Sequence, residues 1–151
     1  MKLKRLLLFL WNYWPPFLGA GIKIVKCAPD YRHMKIRLKL RFWSSNYVGT
    51  QFGGSMFAMT DPFYMIMLLQ NLGDEFIVWD KSASIKFIKP GRKDVFADFN
   101  LDQSTLELIK QRALSEGRYN WTTTVDIVDI DGEKIAQVEK TIYIRPKDKR
   151  I

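Results

Sequence analysis

Residues 46–62, NYVGTQFGGSMFAMTDP, set a single carboxylate, Asp61, in an otherwise apolar run that follows two adjacent glycines. A buried helix seldom carries an unpaired acid. If a helix begins near Ser55, Gly53 and Gly54 lie at its positive end, where free backbone N–H groups can hold an anion or a polarised carbonyl oxygen. Asp61 then follows nearly two turns further in. An oxyanion donor paired with a carboxylate base suits acyl transfer or hydrolysis. A structural reading competes with this one. The glycine pair can simply end a loop and admit close packing, and Asp61-Pro62 can itself start a helix, with Asp as N-cap and Pro at N1.

The rest of the chain frames that stretch. Its 151 residues, 47% hydrophobic, suffice for one domain with a sizeable core and hardly for two. The expected layout is a single domain over 1–151, with a helix and linker over 1–20 and the core over 21–146. A net charge of +8 favours an acidic partner, such as a phosphate-bearing ligand, an anionic membrane or nucleic acid. The lone cysteine, Cys27, excludes an intrachain disulfide and a cysteine-based metal site. It fits a cytoplasmic protein without a metal, and its place in a predicted strand reads as a core thiol.

MKLKRLLLFLWNYWPPFLGAG resembles a secretory signal at its basic head and apolar run, but Asn12, Tyr13, Trp14, Pro15 and Pro16 stand where a cleavage site would be. The run is also too short to span a bilayer. Residues 2–14 are predicted as an amphipathic helix stopped by Pro15 and Pro16, which packs Leu6, Leu7, Leu10 and Trp14 on the domain or a neighbouring subunit. Contact of this helix with a membrane surface is the minor alternative.

Beyond it the periodicity turns to strands. Ile22, Ile24 and Cys27 precede a Pro29-Asp30 turn, and Met34, Ile36, Leu38 and Leu40 alternate with basic residues, which together predict a hairpin. Residues 55–72 have almost no polar face, so they read as a helix enclosed by protein. Four further strands are expected at 75–88, 93–101, 118–130 and 133–144, the last two joined through Asp131-Gly132. A short helix over 104–116 is expected between them, with Ser104 as N-cap, Glu107 at the capping-box position and Gly117 as its stop. Asp74, Glu75 and Asp80 fall in loop or strand segments, where solvated or turn roles are commoner.

This order implies an α+β domain in which an antiparallel sheet wraps a central apolar helix, with an extra N-terminal helix. The loop-helix run Asn46, Gly49, Phe52-Gly53-Gly54 and Asp61, the strand SASIKFIKPGRKD and the closing hairpin EGRYNWTTTVDIVDIDGEKIAQVEKTIYI resemble the hot-dog-fold thioesterase superfamily. The likeness is to its phenylacetate-degradation type and to a thioesterase-like branch known as a domain of unknown function. The resemblance spans residues 21–145. It implies hydrolysis of an acyl-CoA at a dimer-interface site, in a homodimer or tetramer, with coenzyme A entering as part of the substrate and no separate cofactor.

The resemblance assigns the carbonyl oxygen to the Gly54 N–H and the role of base or nucleophile to Asp61 from the facing subunit, with Gln51 or Asn46 positioning substrate or water. Gly53 and Phe52 line the substrate. Lys86, Lys89, Arg92 and Lys93, with Arg145 and Lys147, are candidate partners of the coenzyme A phosphates, although each is individually commoner as a solvated strand-edge charge. One position departs from the pattern: Phe52 stands where many relatives carry histidine, and the only histidine, His33, opens the second strand as a surface or turn residue. The alternative is therefore a non-catalytic acyl-thioester or lipid-binding hot-dog protein, its tunnel softened by Met56, Met59, Met65 and Met67 if these are more than core filler. Dehydration lacks its histidine, glycoside hydrolysis lacks two opposed carboxylates, and a nucleic-acid partner lacks any recognition element.

Overall fold

The computed structural model describes residue 6 and residues 8–147. Six strands form one sheet: β1 (Ile22–Cys27), β2 (His33–Leu38), β3 (Phe76–Phe87), β4 (Val95–Asn100), β5 (Tyr119–Asp129) and β6 (Lys134–Pro146). Every pairing is antiparallel and the spatial order is β1-β2-β4-β5-β6-β3. The helices are α1 (Pro15–Ala20), α2 (Gly53–Ala58), α3 (Phe63–Leu72) and α4 (Gln103–Glu116). A sheet folded about an apolar helix in this order is the hot-dog fold expected from the sequence.

The enclosed helix is α3. Phe63, Met67 and Leu68 are fully buried, and Tyr64 meets Phe99 and Trp121 edge-on with ring centroids 5.0 and 5.3 Å away. Burial of each such side chain stabilises the fold by about 1.5–3 kcal/mol relative to exposure. Met56, Met59 and Met67 belong to the same core. α4 packs against α3 and against β5 and β6 through Leu106, Ile109 and Ala113. Cys27 is buried, as its strand position predicts.

Three expectations are corrected. The single helix over 55–72 is two helices: α2 begins at Gly53 with Phe52 as its N-cap, and α3 begins after a cis Asp61-Pro62 bond with Pro62 as N-cap and no side-chain cap. Pro62 lacks the N–H that a continuous helix would use, so hydrogen bonding breaks there and Asp61 falls at the junction rather than inside a helix.

Leu8–Leu10 are helical and that segment ends before Pro15, as expected, but the two prolines also open a second helix, α1, which suits proline's missing N–H and fixed φ. A 3-10 turn, Trp11–Tyr13, leads into it. Leu8 is the buried leucine, whereas Leu6, Leu10 and Trp14 are about half exposed; residues 1–5 and Leu7 lie outside the described residues. The N-cap of α4 is Asp102, whose carboxylate accepts from the Thr105 N–H at 2.6 Å, while Ser104 donates its hydroxyl to Asp102. A carboxylate at the positive helix end also meets the dipole, which a serine does not. Gly117 does close α4 in the left-handed conformation, φ 73°.

A bulge in β3 positions the site. Its register against β6 shifts between Asp80 and Ser82, with Asp80 opposite Ile142 and Ala83 opposite Lys140. The extra residue reverses which side chains face inward. Before it Phe76, Val78 and Asp80 point to the core side; after it Ala83, Ile85 and Phe87 do, leaving Lys86 on the outer face. β3 is an edge strand, and most of its length from Lys81 onward is exposed.

Candidate functional site

α2 starts under two phenyl rings. A Cβ added at Gly53 would lie 2.9 Å from Phe87 Cζ, and one at Gly54 would lie 2.6 Å from Phe52 Cε1. Phe52 is about half exposed, its ring against Gly54. The glycine pair thus has a packing reason for being there, and the helix start it opens has no side-chain cap.

Beyond the far end of α2, Asp61 meets a lysine that the core has enclosed. Lys140 is 2% exposed on the inward face of β6, in the alternating series Ala136, Val138, Lys140, Ile142, Ile144. Its Nζ donates to Asp61 Oδ1 at 3.2 Å and to the Thr60 carbonyl at 3.4 Å, and stands 3.2 Å from Asp80 Oδ1. That last contact is an ion pair off the line of a hydrogen bond, so Asp80 Oδ1 is buried without a hydrogen-bond donor.

The two carboxylates differ in environment: the Asp61 side chain is 64% exposed and that of Asp80 is 23%. Burial raises the Asp80 carboxyl above the ordinary carboxylate value, Lys140 opposes that rise, and the neighbouring Asp61 adds to it. Asp80 is therefore not the solvated strand residue expected of it. A buried charge needs a partner, and Lys140 has two.

A cavity of about 310 Å³ opens over this cluster, lined by Gly54, Phe57, Asp61, Asp80, Ser82 and Lys140 among others. One chain thus brings Gly54 and Asp61 to a common cavity. A second cavity of about 420 Å³ lies on the Gly53 side of α2, lined by Asn46, Gln51, Met56 and Phe87. Gln51 is 2% exposed; its Nε2 donates to the carbonyls of Leu38 (3.2 Å) and Lys93 (3.0 Å), while its Oε1 is buried without a partner. Asn46 organises its own loop, its Oδ1 accepting from the N–H groups of Val48 and Thr50 and its Nδ2 donating to Thr50 Oγ1 at 2.8 Å. Gln51 and Asn46 therefore share the Gly53-side cavity, and the carboxylates share the other.

The basic candidates divide likewise. Lys89 pairs with Glu133 and Lys93 with Asp131 at a third cavity of about 510 Å³, which Arg92 also lines. Lys86 faces outward. The Lys147 N–H donates to the Glu75 carbonyl, and Arg145 contacts the Pro146 carbonyl. His33 on β2 pairs with Asp98 of β4 at 3.0 Å, three strands from β6 in the sheet order.

Lys140 and Asp80 are the site residues absent from the sequence reading. A signal for Lys140 was present: a lysine at an inward position of an otherwise apolar alternation. Asp80 continues the Phe76, Val78 alternation in the same way, but the bulge after it obscures which face the strand presents.

Comparison with known proteins gives the fold and the family. Solved structures of similar fold include a Pseudomonas aeruginosa protein of unknown function described as a probable thioesterase (TM-score 0.80, 17% identity, covering 95% of this chain and 96% of that one). A thioesterase from Haemophilus influenzae is also similar (0.67, 14%, 95% and 91%), as is a Chlorobaculum tepidum protein of unknown function (0.74, 15%, 95% and 94%). No curated protein matches the chain. The model of a domain of unknown function, DUF4442, matches residues 4–144, and the chain belongs to that family.

Proposed function

We propose that this protein hydrolyses acyl thioesters carried by coenzyme A. The observation that supports the reading best is the 310 Å³ cavity that holds Gly54, at an uncapped helix start, together with the exposed carboxylate of Asp61. A volume of that order suits a small-molecule site. In this reading the thioester carbonyl oxygen accepts from the Gly54 N–H, so the developing oxyanion meets a fixed donor and the positive end of α2. Asp61 removes a proton from the attacking water. Lys140 keeps that carboxylate in place. The solved thioesterase of the same fold adds support by analogy of fold alone.

The phosphates of coenzyme A go to Lys89, Arg92 and Lys93. Two of these lysines must exchange a carboxylate partner for a phosphate, which the exposure of all four paired side chains makes inexpensive.

A second reading is favoured by one observation. Phe52, in place of the family histidine, lays its ring over Gly54 and makes that corner apolar. A binding module that retains an acyl thioester without cleaving it would tolerate this. A panel of acyl-CoA thioesters of graded chain length, assayed for thiol release and for binding, separates the two. Release of thiol with at least one chain length supports hydrolysis; binding without release replaces it with the module.

A further inference from the structure

Two carboxylates on one buried ammonium carry one negative charge more than the ammonium can neutralise. Each Oδ1 lies 3.2 Å from Lys140 Nζ, so the two oxygens cannot be further apart than twice that distance. Like charges so placed in a partly dry cavity do not both ionise easily, and a single shared proton removes the excess. The cluster is then neutral overall, with the ammonium, one carboxylate and one carboxylic acid.

We propose that Asp80 is a second catalytic carboxylate, which shares one proton with Asp61 across the cavity while Lys140 acts as a positioning residue that balances the remaining charge. The proposal rests on the hydrolase reading above and assigns the acid that reading leaves unnamed. The proposal gives the role of acid to Asp80, the less exposed of the two, and leaves the role of base to Asp61, which faces the cavity mouth. Burial and the adjacent Asp61 both favour the protonated form of Asp80. Among the described residues few other ionisable groups face Asp80. Lys140 faces it from β6 and Asp61 from the α2–α3 junction; Lys81 follows it on β3 and also lines the cavity. α3 contributes no charged residue, only Tyr64, whose hydroxyl is directed to Thr123. Glu139 falls on the opposite face of β6.

The step balances. Asp61 takes one proton of the water, and its hydroxyl oxygen bonds to the thioester carbon. The tetrahedral intermediate collapses, the C–S bond breaks, and the departing thiolate takes the proton of Asp80. The products are a carboxylic acid and a thiol. Asp61 is left protonated and Asp80 ionised, and return of the proton from Asp61 to Asp80 across their contact restores the starting state. The cluster's net charge is the same before and after. This division of two carboxylates into base and acid by their surroundings is general in hydrolytic sites.

Kinetics and proton titration test it together. Across a pH series, Asp80→Asn is expected to lower kcat roughly a hundredfold with little change in KM, the scale of a positioned general acid. It should also abolish the alkaline limb of the wild-type profile, the limb set by the raised Asp80 carboxyl. Carbon-13 NMR of aspartate carboxyls should show Asp80 titrating lower in Asp61→Asn than in the wild type. That arm does not depend on the folding of an Asp80 variant. Wild-type turnover with an unchanged kcat and the alkaline limb intact in Asp80→Asn overturns the relay and leaves the hydrolase reading standing. An Asp80 titration indifferent to Asp61→Asn overturns the shared proton. Absence of wild-type turnover on any thioester removes the hydrolase reading and Asp80's catalytic role with it.

Discussion

A lysine that is 2% exposed has to find its counter-charge inside the protein, and Lys140 finds it at Asp61 and Asp80. Removal of the buried cation takes the counter-charge from Asp80, the less exposed carboxylate, a change that costs about 1–3 kcal/mol. Lys140→Ala is therefore expected to lose stability on that scale in urea unfolding, and a loss below about 1 kcal/mol would show that water already neutralises the cluster. Asp80 predicts the opposite sign. An acid whose pKa is raised by folding binds its proton more tightly in the native state, so the fold loses stability as pH rises from the unfolded value, near 3.8, through the native one. Asp80→Asn removes that loss while leaving Asp61 to neutralise Lys140. Relative to wild type, the variant should gain stability as pH climbs through that window and keep the gain at neutral pH. Thermal melts from pH 3.5 to 7 check it; a difference that shrinks with rising pH contradicts the assignment.

At the scale of elements, the strands were legible because alternation survives on either side of the bulges in β1 and β3: residues 118–130 and 133–144 were expected and β5 and β6 were found at Tyr119–Asp129 and Lys134–Pro146. Helix ends were less so. Only the Asp61-Pro62 pair, which can also be read as a helix start, marks the break at Pro62, and Asp102, the cap of α4, stands two residues ahead of the expected Ser104. The site was half legible for the same reason. Asp61 and the glycines share a local run, whereas Asp80 and Lys140 reach them only through sheet pairing. Packing around the loops also yields a prediction. A Cβ at Gly91 would lie 2.9 Å from Gln51 Cγ and 3.3 Å from Ile135 Cγ2, both on buried residues. Gly91→Ala should destabilise by about 1–3 kcal/mol through overpacking. An unchanged melting temperature would mean that the Gln51 side chain, though held at two carbonyls, can still move aside.

For the molecule as a whole, the edge strand β3 is the open question that assembly answers. From Lys81 onward most of its residues are exposed and its outer backbone edge has no partner strand among the described residues, a combination that proteins normally cover. We expect a homodimer in which two β3 edges continue one sheet, which would bring the Asp61 cavities of both subunits next to the interface. Light scattering at micromolar concentration should give about twice the chain mass; a mass near 17.8 kDa contradicts the pairing. Among the described residues no helix is long and apolar enough to cross a membrane. We propose that the excess of +8 acts on the phosphates of the substrate. Affinity for coenzyme A esters should fall as salt rises, and a phosphate-free thioester that binds equally well would remove Lys89, Arg92 and Lys93 from the account.

The most direct measurement is single-turnover hydrolysis of an acyl-CoA by wild type and Asp61→Asn side by side. Asn keeps the size of the side chain, and at this exposed junction it should leave fold and binding intact. The wild type should release thiol, and Asp61→Asn, still binding the ester, should do so roughly a hundredfold more slowly or less. Equal rates in the two proteins would contradict the central claim that the Asp61 carboxylate, fixed by Lys140, is the base.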